Sequence, residues 1–404
     1  MTGSVPRWLP PLGLLPGLML GWLVWKDYPS SLIGLDHQIV VRDFVNIWVG
    51  GRLATVGDLR TLFDPIAYAD HVRTLFGARL DMYTWGYPPH LLLLAVPLSH
   101  LPLVPAFLVW IVGTGAVFFF VLRQIGLSPW QAVAVAASPA ILDNALIGQN
   151  GALLSGAALV GGLFLAERRP ILAGLLLSLL TLKPQLGLLV PIYLLARGQW
   201  RPMVWAAGFG AALCTMSLFI FGVDAWIAYA TVTAPFMRGF LEAPFGLSAH
   251  YMMIPPFVLM RALGVATTHA YAIQILVGLV SAALVWHAAR RSGESRMALC
   301  LTLCLVPLTT PYAHSYDLVC TAVACALLIT RTVQSATAAR AVIALAWVFP
   351  GIALLLAHRI LPGLGSLVLI GLGVVAWRRL PRTDAALFAR PTSLLCPDTA
   401  KFGG

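Results

Sequence analysis

Charged side chains are few in this 404-residue sequence: Asp, Glu, Lys and Arg make up 10% of it, and the acids number only 15. A soluble domain carries roughly a quarter of its residues as charges. A chain that is 59% hydrophobic with a mean hydropathy of +0.87 falls outside that class. Cysteine offers no scaffold either. Cys214, Cys300, Cys304, Cys320, Cys325 and Cys396 lie in apolar runs or in the C-terminal tail, without the spacing of a disulfide framework or a metal site. There is no Gly-rich nucleotide loop, no Asp-X-Asp pair and no convincing internal repeat. These absences speak against nucleotide binding, against a resident metal or other cofactor, and against a transporter built from inverted repeats.

What is present is apolar sequence in long runs. Cut at charges and at Pro or Gly, it yields about twelve spans, near 9–25, 103–122, 130–147, 150–166, 171–182, 186–196, 202–221, 268–289, 297–311, 317–330, 340–357 and 360–377. Several are shorter than the roughly 20 residues an upright membrane helix needs. Two further runs, 88–100 and 251–263, carry the pairs Pro88-Pro89 and Pro255-Pro256 and read as interfacial or re-entrant helices. The first run follows Arg7 without a small-residue cleavage site after Trp25, so it reads as a retained helix. The predicted fold is an all-α integral membrane bundle spanning 1–379, with two outer loops at 26–87 and 223–250 and a loose polar tail at 380–404. The amphipathic pattern around Phe44, Ile47, Trp48 and Leu53, and the aromatic Trp226, Phe236, Phe240 and Phe245, suggest loop helices lying on the bilayer surface.

The sign of the charges orients these spans. With the N-terminus inside, the inner loops and tail collect Arg123, Arg168, Arg169, Arg197, Arg201, Arg290, Arg291, Arg296, Arg331, Arg340, Arg378, Arg379, Arg382, Arg390 and Lys401. The outer side collects Asp27, Asp36, Asp43, Asp58, Asp64, Asp70, Asp81, Asp143, Asp224, Glu242 and Asp317. The net charge of +11 is therefore a topology signal. Arginines that stand singly or in pairs at helix ends, with no soluble domain behind them, exclude a nucleic-acid groove.

Polar residues within apolar sequence converge on the outer side. They are Asp43; Tyr83, Trp85 and Tyr87 before the first Pro-Pro; Asp143, Asn144, Gln149 and Asn150 at a hairpin tip; and TTPYAHSYD at 309–317, with Tyr312, His314 and Asp317. Lys183 interrupts LLTLKPQLG ahead of the helix-breaking Pro184. Each has an ordinary reading: an aromatic belt for Trp85, a satisfied structural His314, a snorkelling Lys183, or an Asp43 paired with Arg42 or Arg52. Four clusters on one side point instead to a cavity that opens outward. One carboxylate with a lysine and a histidine, and no metal spacing, suits transfer of a sugar from a lipid phosphate: the carboxylate takes the acceptor proton and the cations meet the leaving phosphate.

The sequence resembles glycosyltransferase family 87, within the GT-C superfamily of membrane enzymes that use polyprenyl-phosphate sugars. The resemblance rests on RDF at 42–44 with GGRLATVGDLRTLFD after it, YTWGYPPHLLLLAVPLSHLP at 83–102, LIGQNGALL at 146–154, AGLLLSLLTLKPQLGLLVPIYLLARGQWR at 173–201 and TTPYAHSYDLV at 309–319. It covers about residues 35–330 and implies a GT-C-like fold. By it, Asp43 matches the catalytic aspartate and His314 a histidine near the donor phosphate, so that the configuration at the sugar carbon inverts. Arg42 and Lys183 join His314 as phosphate ligands, and Tyr83, Trp85, Tyr87, Gln149, Asn150, Tyr312 and Asp317 line the substrate groove. YTWGYPP departs from a simple Tyr-X-Tyr-Pro-Pro, and Asn46 to Trp48 from a Tyr-rich follow-up to Asp-Phe. The implied partners are a polyprenyl-phosphate hexose, mannose foremost, a lipid or glycan acceptor, and membrane lipids, on the periplasmic face of a bacterial inner membrane. A transporter or flippase of a lipid-linked sugar is the alternative.

Overall fold

A computed structural model describes residues 39, 41–77, 80–244, 248–291, 295–329, 337–355 and 361–380. The first predicted span at 9–25, Asp27, Asp36, Phe245, Arg331 and the tail from 381 lie outside the described residues. The described chain is helical throughout, without a named strand. The first outer segment holds α1 (Phe44–Thr55), α2 (Leu59–Phe63) and α3 (Pro65–Phe76). A 3-10 turn, Pro89–Leu91, leads into α4 (Leu92–Ser99), then α5 (Leu103–Gln124), α6 (Pro129–Ala136) and α7 (Pro139–Ile147). A π-helical stretch, Ala152–Gly161, runs into α8 (Gly162–Leu165), followed by α9 (Pro170–Ser178) and α10 (Val190–Ala196). Next come α11 (Trp200–Ala228), α12 (Ala234–Glu242), α13 (Pro256–Ala262) and α14 (Thr267–Arg291). The remaining helices are α15 (Ser295–Leu305), α16 (Val319–Ile329), α17 (Thr337–Leu355) and α18 (Gly365–Trp377).

Three helical runs among the described residues are long and apolar enough to cross a membrane: Leu103–Gln124, Trp200–Glu242 and Thr267–Arg291. A fourth is added if α6 and α7, bent by 47° at their junction, count as one span. The other expected spans appear as apolar helices of 10–17 residues, so length alone does not give a count of twelve. The cause is local. Pro139 and Pro184 start new segments inside apolar sequence, and 3-10 and π turns divide the rest. Both Pro-Pro runs do begin short helices, where a proline lacking its N–H costs nothing.

Arg169, Arg197 and Arg296, from the predicted inner loops, gather at one end. Arg169 Nη1 donates to Gln124 Oε1 at 2.8 Å and Arg197 Nη1 to the Ala289 carbonyl at 3.4 Å. Arg296 lies beside Gly126 at the foot of α5. The chain between Arg169 and Arg197 therefore runs away from this end and returns, reversing at Lys183, where two 3-10 turns, Leu179–Leu182 and Pro184–Gly187, meet. The acidic and aromatic clusters occupy the opposite end.

Two expected surface helices differ from that picture. α1 is buried along most of its length, with Phe44, Val45, Ile47, Trp48, Val49 and Leu53 in the core. The Gly50-Gly51 pair explains this: a Cβ on Gly51 would collide with the Ala95 carbonyl of α4 and one on Gly50 with the Trp85 ring, so bare backbone lets the helices touch. In the second outer segment, the helix of α11 bends at Gly222, where φ is 80°, and runs on through a π turn, Tyr229–Thr233, into α12. Glu242 at its end accepts from Arg238 Nε at 2.8 Å and from the Tyr271 hydroxyl at 3.0 Å, which ties this segment to α14.

Candidate active site

Asp43 caps the start of α1, and its backbone N–H donates to the Ile147 carbonyl at 2.9 Å. The residue before it, Arg42, holds φ at 45°, a left-handed conformation uncommon for a non-glycine side chain. Arg42 N–H bonds the Ile39 carbonyl at 2.8 Å, and the Ile39 N–H in turn donates to the Tyr83 hydroxyl at 3.2 Å. Tyr83 is thus buried beneath the turn that presents Asp43, and braces it.

α7 ends at Gly148, whose φ of 74° lets the chain turn under Val41 and Phe44 where any Cβ would clash. That turn delivers Gln149, whose Nε2 donates to Asp43 Oδ2 at 2.7 Å while its Oε1 accepts from the Tyr87 hydroxyl at 3.0 Å. Trp110 Nε1 fixes the Gln149 backbone carbonyl at 3.3 Å. Trp85 is wholly buried, packed on Gly50 and edge-on to Tyr87 at 5.6 Å, so its indole supports the tyrosine. Asn150 is buried next to Gln149, its side chain close to the Tyr87 hydroxyl.

The second half of the site forms where α9 and α10 reverse against the 309–317 segment. Lys183 Nζ meets Asp317 Oδ1 at 3.0 Å, and both side chains are buried. Asp317 Oδ2 accepts the His314 N–H at 3.2 Å, closing a capping box on the turn Ser315–Asp317. His314 Nδ1 can only donate to the Tyr312 carbonyl, 2.9 Å away, which leaves Nε2 as the acceptor of a neutral ring. That ring stacks on Tyr316 at 5.0 Å with 6° between planes, and Lys183 Nζ sits 4.9 Å from the centre of the Tyr316 ring. Tyr312 itself packs with the buried cluster of Met253 and Phe257.

The two halves act on one another. Burial pushes the Asp43 carboxyl above the usual carboxylate range, and the Gln149 bond and the charges of Arg42 and Lys183 pull it back only in part. Burial drives His314 down to about 4, partly opposed by the Asp317 carboxylate, so the ring is neutral at pH 7. Burial likewise holds the Tyr87 hydroxyl protonated, as its bond to Gln149 requires. Around the rim Arg42, Asp43, Tyr87, Tyr312 and His314 are half-buried, while Gln149, Asn150, Lys183 and Asp317 lie beneath them. Among the described residues no group of three or more His, Cys, Asp or Glu side chains could hold a metal ion.

The structure therefore brings Asp43, Gln149 and Tyr87 into one hydrogen-bonded row, and Lys183, His314 and Asp317 into a second. Trp85, Tyr83 and Tyr312 support these rows from behind. Two residues not singled out as site members from the sequence belong here. Tyr316 stacks on the imidazole and has the ammonium over its ring, and Asp143 lies buried on α7 against Ser315 of the Ser315–Asp317 turn. The tyrosine two positions after His314 was the available signal for the first. A carboxylate inside an apolar run was the signal for the second.

A single half-buried carboxylate in a hydrogen-bonded row, within electrostatic reach of a buried lysine that is paired beside a stacked histidine, has the groups to take a proton from a hydroxyl and to meet an anion. The family profile of glycosyltransferase family 87 matches residues 85–311, more than half of the 404-residue chain. That stretch includes Tyr87, Gln149, Asn150 and Lys183, and ends just short of His314. No curated protein and no solved structure matches the chain. A helical membrane protein by its apolar helices, the chain belongs to glycosyltransferase family 87.

Proposed function

We propose that the chain transfers a hexose, mannose foremost, from a polyprenyl-phosphate sugar to a hydroxyl of a lipid or glycan acceptor, with inversion at the sugar carbon. The observation that carries this reading is one half-buried carboxylate, Asp43, held within electrostatic reach of Lys183, which is itself tied through Asp317 to His314. Asp43 acts as general base. A carboxylate whose proton affinity is raised by burial is a better base near neutral pH than an exposed one, and the Gln149 amide orients the oxygen without supplying a competing charge. The acceptor oxygen attacks the sugar carbon as its proton passes to Asp43, and the carbon–phosphate-oxygen bond breaks on the opposite side. The departing phosphate gathers charge near Lys183 and Arg42, whose cations stabilise it, and near His314, whose Nε2 becomes a donor once the ring takes up a proton beside the phosphate. Phosphate needs little acid help to leave, so a second catalytic carboxylate is unnecessary.

The separation of the inner-loop arginines Arg169 and Arg197 from the site supports an outward-facing, periplasmic reaction in a bacterial inner membrane. Nucleotide sugars are absent there, which accords with a lipid-borne donor and with a chain that has no Gly-rich nucleotide loop. The transporter alternative draws no support from the family. The test is transfer by the purified protein from polyprenyl-phosphate-mannose, set against nucleotide sugars, into a membrane lipid extract, with products read by mass spectrometry. Mannosylated product from the lipid donor alone is expected; transfer from a nucleotide sugar instead would overturn the donor assignment.

A further inference from the structure

The far end of α1 carries a second polar feature, which the transfer reaction does not use. Arg52 lies nine residues beyond Asp43, about 13 Å along a helix. There a cavity of about 390 Å³ opens between α1 and the turn from α4 to α5, lined by Trp48, Arg52, Thr55, Ser99, His100 and Pro102. Its walls are fixed. Trp48 Nε1 donates to the Leu101 carbonyl at 2.9 Å, and Gly51 lies against Ala95.

Inside the cavity the free donors are cationic or imidazole groups. The Arg52 guanidinium is exposed, stacks 4.7 Å from the Trp48 ring centre, and makes no ion pair among the described residues. His100 is exposed on the facing wall. The Thr55 and Ser99 hydroxyls are spent on the Gly51 and Val96 carbonyls, both at 2.8 Å. Where the cavity ends, α5 begins its passage through the apolar layer. Val104, Leu108 and Val112 follow at four-residue spacing and are 41%, 54% and 66% exposed, forming one uncovered apolar stripe. An anion site at the head of an apolar stripe matches the two parts of an amphiphile.

We propose that this cavity binds the phosphate of an anionic membrane lipid, with an acyl chain laid along Val104, Leu108 and Val112. The guanidinium grips the phosphate through paired N–H groups while its other face stays on Trp48. His100 closes the opposite side. This site stands apart from the donor site, since neither Arg52 nor His100 belongs to the Asp43 or Lys183 rows.

The test uses the full-length protein, delipidated in detergent and titrated with dimyristoyl-phosphatidylglycerol under native mass spectrometry. A parallel titration uses inorganic phosphate as competitor. Arg52→Gln is expected to weaken binding of the tightest lipid about tenfold or more, since it removes a charge-assisted pair. Arg52→Lys should lose less, and His100→Gln should weaken binding several-fold; if Arg52→Gln fails to fold, His100→Gln and the phosphate competition decide the matter. Inorganic phosphate at the same concentration should leave the lipid in place, because it lacks the chain. Unchanged lipid affinity in Arg52→Gln, or in His100→Gln where the first variant does not fold, overturns the site. Displacement of the lipid by equimolar phosphate would make it a free-anion site and overturn the lipid assignment.

Discussion

Replacing Asp43 by asparagine should separate catalysis from folding, and the surroundings of this side chain set the sign of both effects. An asparagine keeps the shape, and its Oδ1 can still accept from Gln149 Nε2, so a bond worth about 0.5–1.5 kcal/mol survives. The backbone bond from residue 43 to Ile147 is untouched. Burial raises the carboxyl's folded-state pKa above its ordinary value of 3.8. A group shifted this way adds stability below its unfolded pKa and loses it as pH rises through the folded value. At pH 7 the ionised Asp43 is therefore a net cost to the fold, which an amide does not carry. The variant should melt at or above the wild-type temperature at pH 7, and that advantage should vanish below about pH 3.8, where the wild-type side chain is protonated. An amide cannot accept the acceptor's proton, so turnover should fall by about a hundredfold to ten-thousandfold, or about 2.7–5.5 kcal/mol of barrier. Thermal melts and initial transfer rates on the same purified samples read both quantities. A variant that keeps more than about a tenth of the rate would remove Asp43 as the base, given the usual size of that loss. One that melts several degrees lower would recast it as a structural residue.

The proposed donor site makes its own demands on pH. Because His314 titrates at about 4 in the free protein, a phosphate arriving beside it should raise that value and take up a proton, so donor affinity should weaken as pH rises between the two values. A donor constant that is flat from about pH 5 to 8, or a slope that persists in His314→Gln, would sink this coupling. Lys183→Met or Asp317→Asn alone should cost about 3–5 kcal/mol by leaving one buried charge unpaired, while the double variant should recover most of it. Additive losses in a melt series would show that the pair is not coupled. In a background freed of reactive cysteines, Asp58→Cys should label from outside intact cells with an impermeant thiol reagent and Glu167→Cys should not, both positions being exposed. Labelling at 167 would invert the topology.

Much of the large-scale arrangement was legible because it depends on the solvent rather than on partners. An apolar chain must hide its backbone in helices, and arginines at helix ends sort to one side, as Arg169 with Gln124 and Arg197 with Ala289 show. The reversal at Lys183 was readable from the arginines flanking that run and from Pro184 after it. The burial of α1 was not. Its amphipathic pattern suits a surface helix equally well, and only the fit of Gly50 and Gly51 against Trp85 and Ala95 decides the matter. The partner of Lys183 was hidden too, since Asp317 stands 134 residues away and no local pattern couples them. Tyr316 escaped for the same reason: its role comes from ring contacts with both His314 and Lys183 that form only in space.

The Lys183–Asp317 pair changes how the proposed phosphate site must work. An unpaired ammonium at this depth would be too poorly solvated to wait for a donor, whereas a paired one is held in place. An ammonium has three N–H groups. Here one points to Asp317 Oδ1, and the Tyr316 ring face lies near the charge, so a phosphate oxygen can be added without breaking the pair. Asp317 also holds the His314 backbone, and the Tyr312 carbonyl holds the His314 ring. On this reading the lysine, carboxylate, histidine and tyrosine form one fixed platform whose orientation is set before the donor arrives. The reaction then needs only the acceptor hydroxyl to be brought to Asp43, whose own orientation is fixed through Gln149 and Tyr87 by an independent set of bonds. Two rigid rows held by separate elements can keep attacking and leaving oxygens on opposite sides of a sugar carbon, which is the geometry that inversion requires.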